Sequence, residues 1–392
     1  MVAFASDWAN LLVRWGHMIA GIAWIGTSFY FIALDLSLKK REKMKDGVIG
    51  TTWEVHGGGF YHVEKFMVAP KELPADLVWF KWEAYLTWVT GFLLLILQFY
   101  LEAGAWMIDP SVLALESWQA ISISIASLAV GWFVYDGLCR SPIGKRITLL
   151  VIIGFVWVLA AAYFYTHIFA GRAALIHVGA FIGTIMAANV FAIIIPNQKK
   201  VTAALLAGDN PDPKYGEIGK QRSVHNTYLT LPVVVLMVSG HYPMLFGHPH
   251  AWLIVAFVIV GGACLRHVLV SYEVGEPFSK YRAALPVILI ALIAAIYMTT
   301  PQQSNIVDSV VSDVEVMTIV RKHCTTCHAA NPKNEAFDAP PKNIVLENID
   351  QLGRHGKQVV RFAVQTRAMP LGNETGMTED ERLKLGAWLY NQ

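Results

Sequence analysis

Within His323-Cys324-Thr325-Thr326-Cys327-His328, two thiols are separated by two residues and an imidazole comes directly after the second. That order suits covalent capture of a haem: the thiols add to its vinyl groups, and the adjacent histidine becomes the proximal ligand of the iron. The chemistry implied is one-electron transfer in a compartment outside the cytoplasm, where such attachment takes place. A bare Cys-x-x-Cys also occurs as half of a zinc site or as a thioredoxin-like redox pair. A structural zinc site needs four Cys or His ligands. The other cysteines, Cys139 and Cys264, lie far upstream in apolar surroundings, and His323 and His355 make no second pair at finger spacing.

Residues downstream of the motif fit the same chemistry. Thr366-Arg367-Ala368-Met369-Pro370 offers a thioether restrained by the proline after it, and Met369 is the expected distal iron ligand, with Met377 as its rival. From Thr378 the chain carries an N-cap, acids in the first turn, and apolar Leu383, Leu385, Trp388 and Leu389, the pattern of a capped terminal helix. Helix, haem-attachment motif, Met-Pro loop and terminal helix come in the order of a small class I cytochrome c. The iron ligands expected are His328 and Met369, and the covalent anchors Cys324 and Cys327.

The elements that must position this chemistry are of a different material. The chain is 55% hydrophobic with 13 Trp, and its formal net charge of +2 gives no reason to expect nucleic acid as a partner. Apolar runs of about 20 residues, enough to cross a bilayer, recur near 9–34, 78–101, 116–136, 148–169, 173–195, 226–246, 250–270 and 283–300. A run such as 148–162 has no polar face, which excludes an ordinary amphipathic core helix. The expected fold is therefore all-α, a polytopic bundle of about eight spans followed by the cytochrome domain. Its expected divisions are 1–300 for the membrane domain, 301–311 for a polar linker and 312–392 for the cytochrome.

Basic residues alternate between connections. Lys39, Lys40, Arg41, Lys43, Lys45, Lys65 and Lys71 crowd the first. Arg140, Lys145 and Arg146 lie in the third, Lys199, Lys200, Lys214, Lys220 and Arg222 in the fifth, and Lys280 and Arg282 in the seventh. The intervening connections hold Arg172 and essentially no other base. The positive-inside rule then puts odd connections in the cytoplasm and both termini in the periplasm, the side that haem attachment independently requires. No cleavable signal peptide is expected, because the first residues lack a basic leader.

Ionisable groups within spans are functional candidates, since hydrocarbon penalises them. On this topology His17, His177 and His241 fall toward the outer side, with His167 at an outer helix end. His225 and His267 fall toward the cytoplasmic side, and His56 and His62 lie in the first cytoplasmic loop. The outer trio could carry catalysis, hold a bis-histidine haem b, or simply bond neighbouring helices. Arg14 and Arg266 could meet haem propionates or an anionic substrate, or could snorkel at span ends. Gly57-Gly58-Gly59, flanked by His56, Phe60, Tyr61 and His62, could let backbone approach a flat heterocycle or could serve as an interfacial bend.

Four stretches carry a family likeness: Arg14 to Tyr30, the His-Gly-Gly-Gly-Phe-Tyr run at 56–61, Trp79-Phe80-Lys81-Trp82-Glu83-Ala84-Tyr85, and Ser223-Val224-His225-Asn226-Thr227-Tyr228. Together they resemble the bacterial membrane-bound, cytochrome-c-linked urate oxidases (urate hydroxylases), and the resemblance covers the whole chain. It implies oxidation of urate to 5-hydroxyisourate at the bacterial inner membrane, with lipid around the bundle. Electrons would leave through haem c to a periplasmic cytochrome c or a terminal oxidase. Only Cys324, Cys327, His328 and Met369 carry over as functional residues, and the family supplies no catalytic residues for the bundle. The alternative is an electron-transfer subunit relaying electrons from quinol or a partner dehydrogenase. A transporter with a redox-sensing cytochrome is a third reading.

Overall fold

The computed structural model describes residues 2–67, 73, 76–300, 311–334 and 337–391. Lys71 and the expected linker up to residue 310 lie outside them. The protein is mostly helical. The long elements are α1 (Val2–Ser37), α2 (Trp82–Leu95), α3 (Ser117–Arg140), α4 (Ile147–Thr166), α5 (Gly171–Ala188), α6 (Ile195–Leu206), α7 (Pro213–Val238), α8 (Ala251–Glu273), α9 (Ala284–Thr299), α10 (Asp313–His323) and α11 (Glu379–Tyr390).

Among the described residues six helices are long and apolar enough to cross a membrane: Ala5–Ser37, Trp82–Tyr100, Ser117–Arg140, Ile147–Thr166, Gly171–Leu206 and Ala251–Glu273. The remaining two expected spans are less regular. The run expected at 226–246 is the second half of α7, which stops at Val238 before a tight turn at Ser239–His241 and a single helical turn at Pro243–Phe246. The first half of α7 is polar, and Gly240 and Pro243 end the helix early. The last, α9, has 16 residues, about 24 Å at 1.5 Å per residue, against a hydrocarbon core of about 30 Å.

The Gly171–Leu206 rod is the axle of the bundle. Sixty-one per cent of its most apolar stretch is buried, against 11–22% for the other five. Small residues explain its position, since Ala173, Ala174, Gly179 and Ala187 let neighbouring helices close in around it. The rod passes through a π-helical stretch at Asn189–Ile194 just before Pro196. Pro196 cannot donate the next helical hydrogen bond, and a widened turn relieves the clash of its ring with the preceding turn. Asn189, at the start of the widened turn, faces inward with 0% exposure.

The first connection differs from the all-α expectation. It folds into an antiparallel hairpin of β1 (Val48–His56) and β2 (Gly59–Phe66), with His56 opposite Gly59. Gly57 and Gly58 both have positive φ, 59° and 79°, which a two-residue hairpin turn of this hand requires. A Cβ on any of the three glycines would meet nothing within 4 Å, so it is the positive φ of Gly57 and Gly58, not crowding, that calls for glycine in the turn. The hairpin is tied to α1 by Tyr30 Oη donating to Glu54 at 2.8 Å and by Lys65 Nζ to Asp35 at 2.6 Å.

The region 311–391 has its own apolar core, in which Val316, Val320, Leu352, Leu385 and Trp388 are buried. Thr378 caps α11 as expected: Glu381 N–H donates to its hydroxyl at 3.2 Å, and its own N–H donates to Glu381 Oε2 at 2.8 Å. This region seats on the end of the bundle opposite the hairpin. Gly247 abuts the Thr366 carbonyl, where any side chain would collide, Gly372 lies against the carbonyls of Ala105 and Ile108, and Ala368 packs on the bundle core.

Candidate functional site

The cysteine motif begins where α10 ends. Cys324 N–H donates to Val320 O at 2.8 Å, and His328 N–H to Cys324 O at 2.8 Å, so both thiols and the imidazole lie on one compact turn. His328 Nδ1 lies 3.0 Å from Ile344 O. A carbonyl only accepts, so Nδ1 carries the proton and the Nε2 lone pair is left for a metal. Burial pushes the Cys324 thiol up to about 12 and raises that of Cys327. Neutral thiols do not suit a reactive redox pair, which depends on a depressed thiol pKa. Among the described residues no group of three or more His, Cys, Asp or Glu side chains could hold a metal ion.

The two candidate methionines separate. Met377 is 4% exposed inside the domain core, with its N–H donating to Asn373 Oδ1. Met369 is half-buried against the same cluster, as is Cys324. Its loop is held by the buried Arg382, which donates to the carbonyls of Ala363 and Met369 and to Asn373 Oδ1.

On the far side of the motif His323 is fully enclosed. Its Nδ1 lies 2.7 Å from Thr375 Oγ1, and its Nε2 lies 3.1 Å from Glu381 Oε1, off the hydrogen-bond axis. Burial opposes the Glu381 charge, yet the Thr378 N–H, Lys322, His323 and the Thr378 hydroxyl outweigh it and hold the carboxyl well below its usual range. Arg367 lowers Glu379 in the same direction. Depressed folded-state values stabilise fully above the ordinary carboxylate pKa of about 4.5, and the contribution is lost as pH falls through the folded values. Denaturant midpoints of this region are therefore expected to hold from pH 7 to about 5 and fall below that, with a shallower acid limb in E381Q.

The outer histidines are not brought together. His17 on α1 is held by α2, its Nδ1 lying 3.0 Å from Thr87 O and 3.1 Å from Thr90 Oγ1. His177 on α5 is fully buried: Nδ1 donates to Ala173 O at 2.7 Å, and Nε2 meets Ser124 Oγ at 2.8 Å, which in turn lies 2.7 Å from Tyr100 Oη. His241 is exposed in the turn after α7. Both nitrogens of His177 are engaged and His241 lies at the surface, so the three side chains are held by separate partners. His177 instead anchors a hydroxyl chain walled by Phe99, Tyr165 and Phe169.

The denser polar layer lies toward the hairpin end. Arg222, expected in a cytoplasmic loop, belongs to α7 and is 1% exposed. It donates to Asp136 Oδ1 on α3 at 2.7 Å and to Asn189 Oδ1 at 3.3 Å. Asn189 Nδ2 donates to Tyr135 Oη at 3.1 Å and to Asn226 Oδ1 at 2.9 Å, and Tyr135 Oη meets His225 Nδ1 at 2.7 Å. Two helices and the π-helical stretch thus share one connected network. Beside it, on the other face of α7, Tyr228 Oη lies 3.0 Å from His267 Nδ1, and the neighbouring Arg266 is 1% exposed. Arg14 is exposed, as a snorkelling residue would be. Asp136, Tyr135 and Asn189 are polar residues of this buried network that sequence reasoning misses. Their signal is an acid and an amide within otherwise apolar runs, which hydrocarbon tolerates only when partnered.

Comparison with curated proteins and with solved structures returned no match. A protein-family model described as "Urate oxidase N-terminal" matches residues 3–300, which takes in the whole helical bundle, both buried layers and the hairpin. Over three-quarters of its length, this chain belongs to the urate oxidase N-terminal family.

Proposed function

We propose that the chain is a membrane-bound urate oxidase whose bundle binds and oxidises urate and whose C-terminal region is a periplasmic cytochrome c. The match of the urate oxidase N-terminal family to residues 3–300 carries this reading. The net reaction is urate plus water to 5-hydroxyisourate with two protons and two electrons. A haem joined through thioethers to Cys324 and Cys327, with His328 and Met369 on its iron, would supply a one-electron acceptor. The geometry of the motif supports that group: Ile344 O fixes the His328 tautomer with Nε2 free, and Arg382 secures the Met369 loop.

The topology that goes with this reading counts α7 and α9 as spans, eight in all, with the basic connections in the cytoplasm and both termini in the periplasm. The hairpin end is then cytoplasmic. The contact of Thr366, Ala368 and Gly372 with the bundle brings the Met369 loop down onto the outer mouth. Electrons would leave for a periplasmic cytochrome c or a terminal oxidase. Anaerobic addition of urate to the purified single chain is expected to bring up the α band of reduced c-type haem. Reduction that occurs only when quinol or a second subunit is added would replace this reading with that of an electron-relay subunit.

A further inference from the structure

Among the described residues of the bundle two arginines are buried: Arg222 is ion-paired, whereas Arg266 has Glu273 of its own helix within electrostatic reach but no ion pair. Arg222 is neutralised by Asp136 at 2.7 Å. Arg266, held among α1, α7 and α8, lies flat against the Phe29 ring with 3.4 Å between guanidinium carbon and ring centroid. Among the described residues its Nε and Nη2 have no hydrogen-bond acceptor, and no carboxylate forms an ion pair with it. Those two N–H groups lie on the same edge of the planar fork, the edge that takes a pair of adjacent acceptors side-on. An aromatic face offsets part of the cost of a buried cation but leaves both donors unsatisfied.

Nearby groups add to this. Tyr228 Oη and His267 Nδ1 are hydrogen-bonded at 3.0 Å with their rings stacked at 25°. The Tyr228 hydroxyl is within electrostatic reach of Arg266. A charged fork therefore stands beside a hydroxyl–imidazole pair able to exchange a proton.

We propose that Arg266 anchors an anion site inside the bundle, and that its ligand is a planar heterocyclic anion presenting a carbonyl oxygen next to a deprotonated ring nitrogen. Under the urate-oxidase reading, on which this rests, the ligand is the urate monoanion. The substrate then binds in the layer toward the hairpin end, away from His177 and His241. The phosphate of an anionic lipid offers similar acceptors, so the experiment separates the two sources.

Binding is measured anaerobically by equilibrium dialysis on the full-length, haem-loaded protein in neutral detergent, with urate and with hypoxanthine as a neutral purine of similar shape. Wild-type protein is expected to hold urate at least about tenfold tighter than hypoxanthine. R266K keeps the charge but not the fork and should weaken urate roughly tenfold. R266Q should weaken it roughly 100-fold, with hypoxanthine binding unchanged in both variants. Equal binding of the two purines by wild-type protein would overturn the proposal even if neither variant folds. So would undiminished urate binding in R266K and R266Q, or phosphatidylglycerol binding that the variants lose while urate binding persists. If urate reduces wild-type haem and R266Q behaves identically, only the anion site falls. If wild-type protein neither binds urate nor is reduced by it, the urate-oxidase reading falls as well.

Discussion

Replacing Asp136 by alanine is expected to lower the stability of the bundle by roughly 3–5 kcal/mol, the cost of leaving a buried charge without its partner. The side chain of Arg222 is 2% exposed, and the Asp136 carboxylate at 2.7 Å is its one anionic neighbour among the described residues. Asn189 contributes a single longer bond at 3.3 Å, and Arg222 Nε already lacks an acceptor. D136A leaves a guanidinium that faces the Tyr135 and Trp132 rings with no carboxylate beside it. D136N keeps an oxygen in place and should cost less. Removing both charges in D136L/R222M should recover most of the loss, because two apolar side chains of suitable volume need no desolvation. Thermal midpoints of the detergent-solubilised protein test the series. A D136A midpoint equal to wild type would show that Arg222 has another route to neutrality.

The second large effect is expected in the C-terminal region. Arg382 is 4% exposed and spans three acceptors on the segment that carries Met369. Hydrogen bonds to a charged group contribute about 1.5–3 kcal/mol each, and stranded buried carbonyls add their own penalty, so R382A should cost upwards of about 3 kcal/mol. The loss should concentrate in the Met369 loop and leave the cysteine turn intact, since that turn is held by α10 and Ile344. Carbon monoxide supplies a selective readout in haem-loaded protein, because a reduced iron that keeps its thioether ligand resists the gas. R382A should admit carbon monoxide and R382K should do so only partly. A destabilised R382A that still excludes the gas would locate the ligand elsewhere, with Met377 the alternative.

Much of the local chemistry is legible in the sequence because it depends on short spacing. The cysteine turn, the Thr378–Glu381 cap and the six long apolar helices each arise from residues close together in the chain. The hairpin is legible too, in principle. Val48 to His56 is rich in β-branched and aromatic residues, and a Gly-Gly pair sits at the turn, but the lysines on either side point as readily to a plain basic loop between spans. The buried layers are not legible, because each depends on which helices become neighbours. Arg222 looks like a loop base until α3 brings Asp136 to it. Arg266 looks like a snorkelling residue until α1 lays Phe29 across it. His17, His177 and His241 share a depth in the sequence pattern, yet they end on different partners because depth alone does not set the direction a side chain faces.

The rod from Gly171 to Leu206 also acts as a ruler. His177 and Asn189 ride on it about 18 Å apart along its axis at 1.5 Å per residue, and the helices packed closely against its small residues leave neither free to slide. Two chemically distinct floors of the protein are thereby kept at a set separation, with an apolar storey between them. Whatever passes from one floor to the other, charge or proton, must cross a gap whose length is written into the pitch of a single helix.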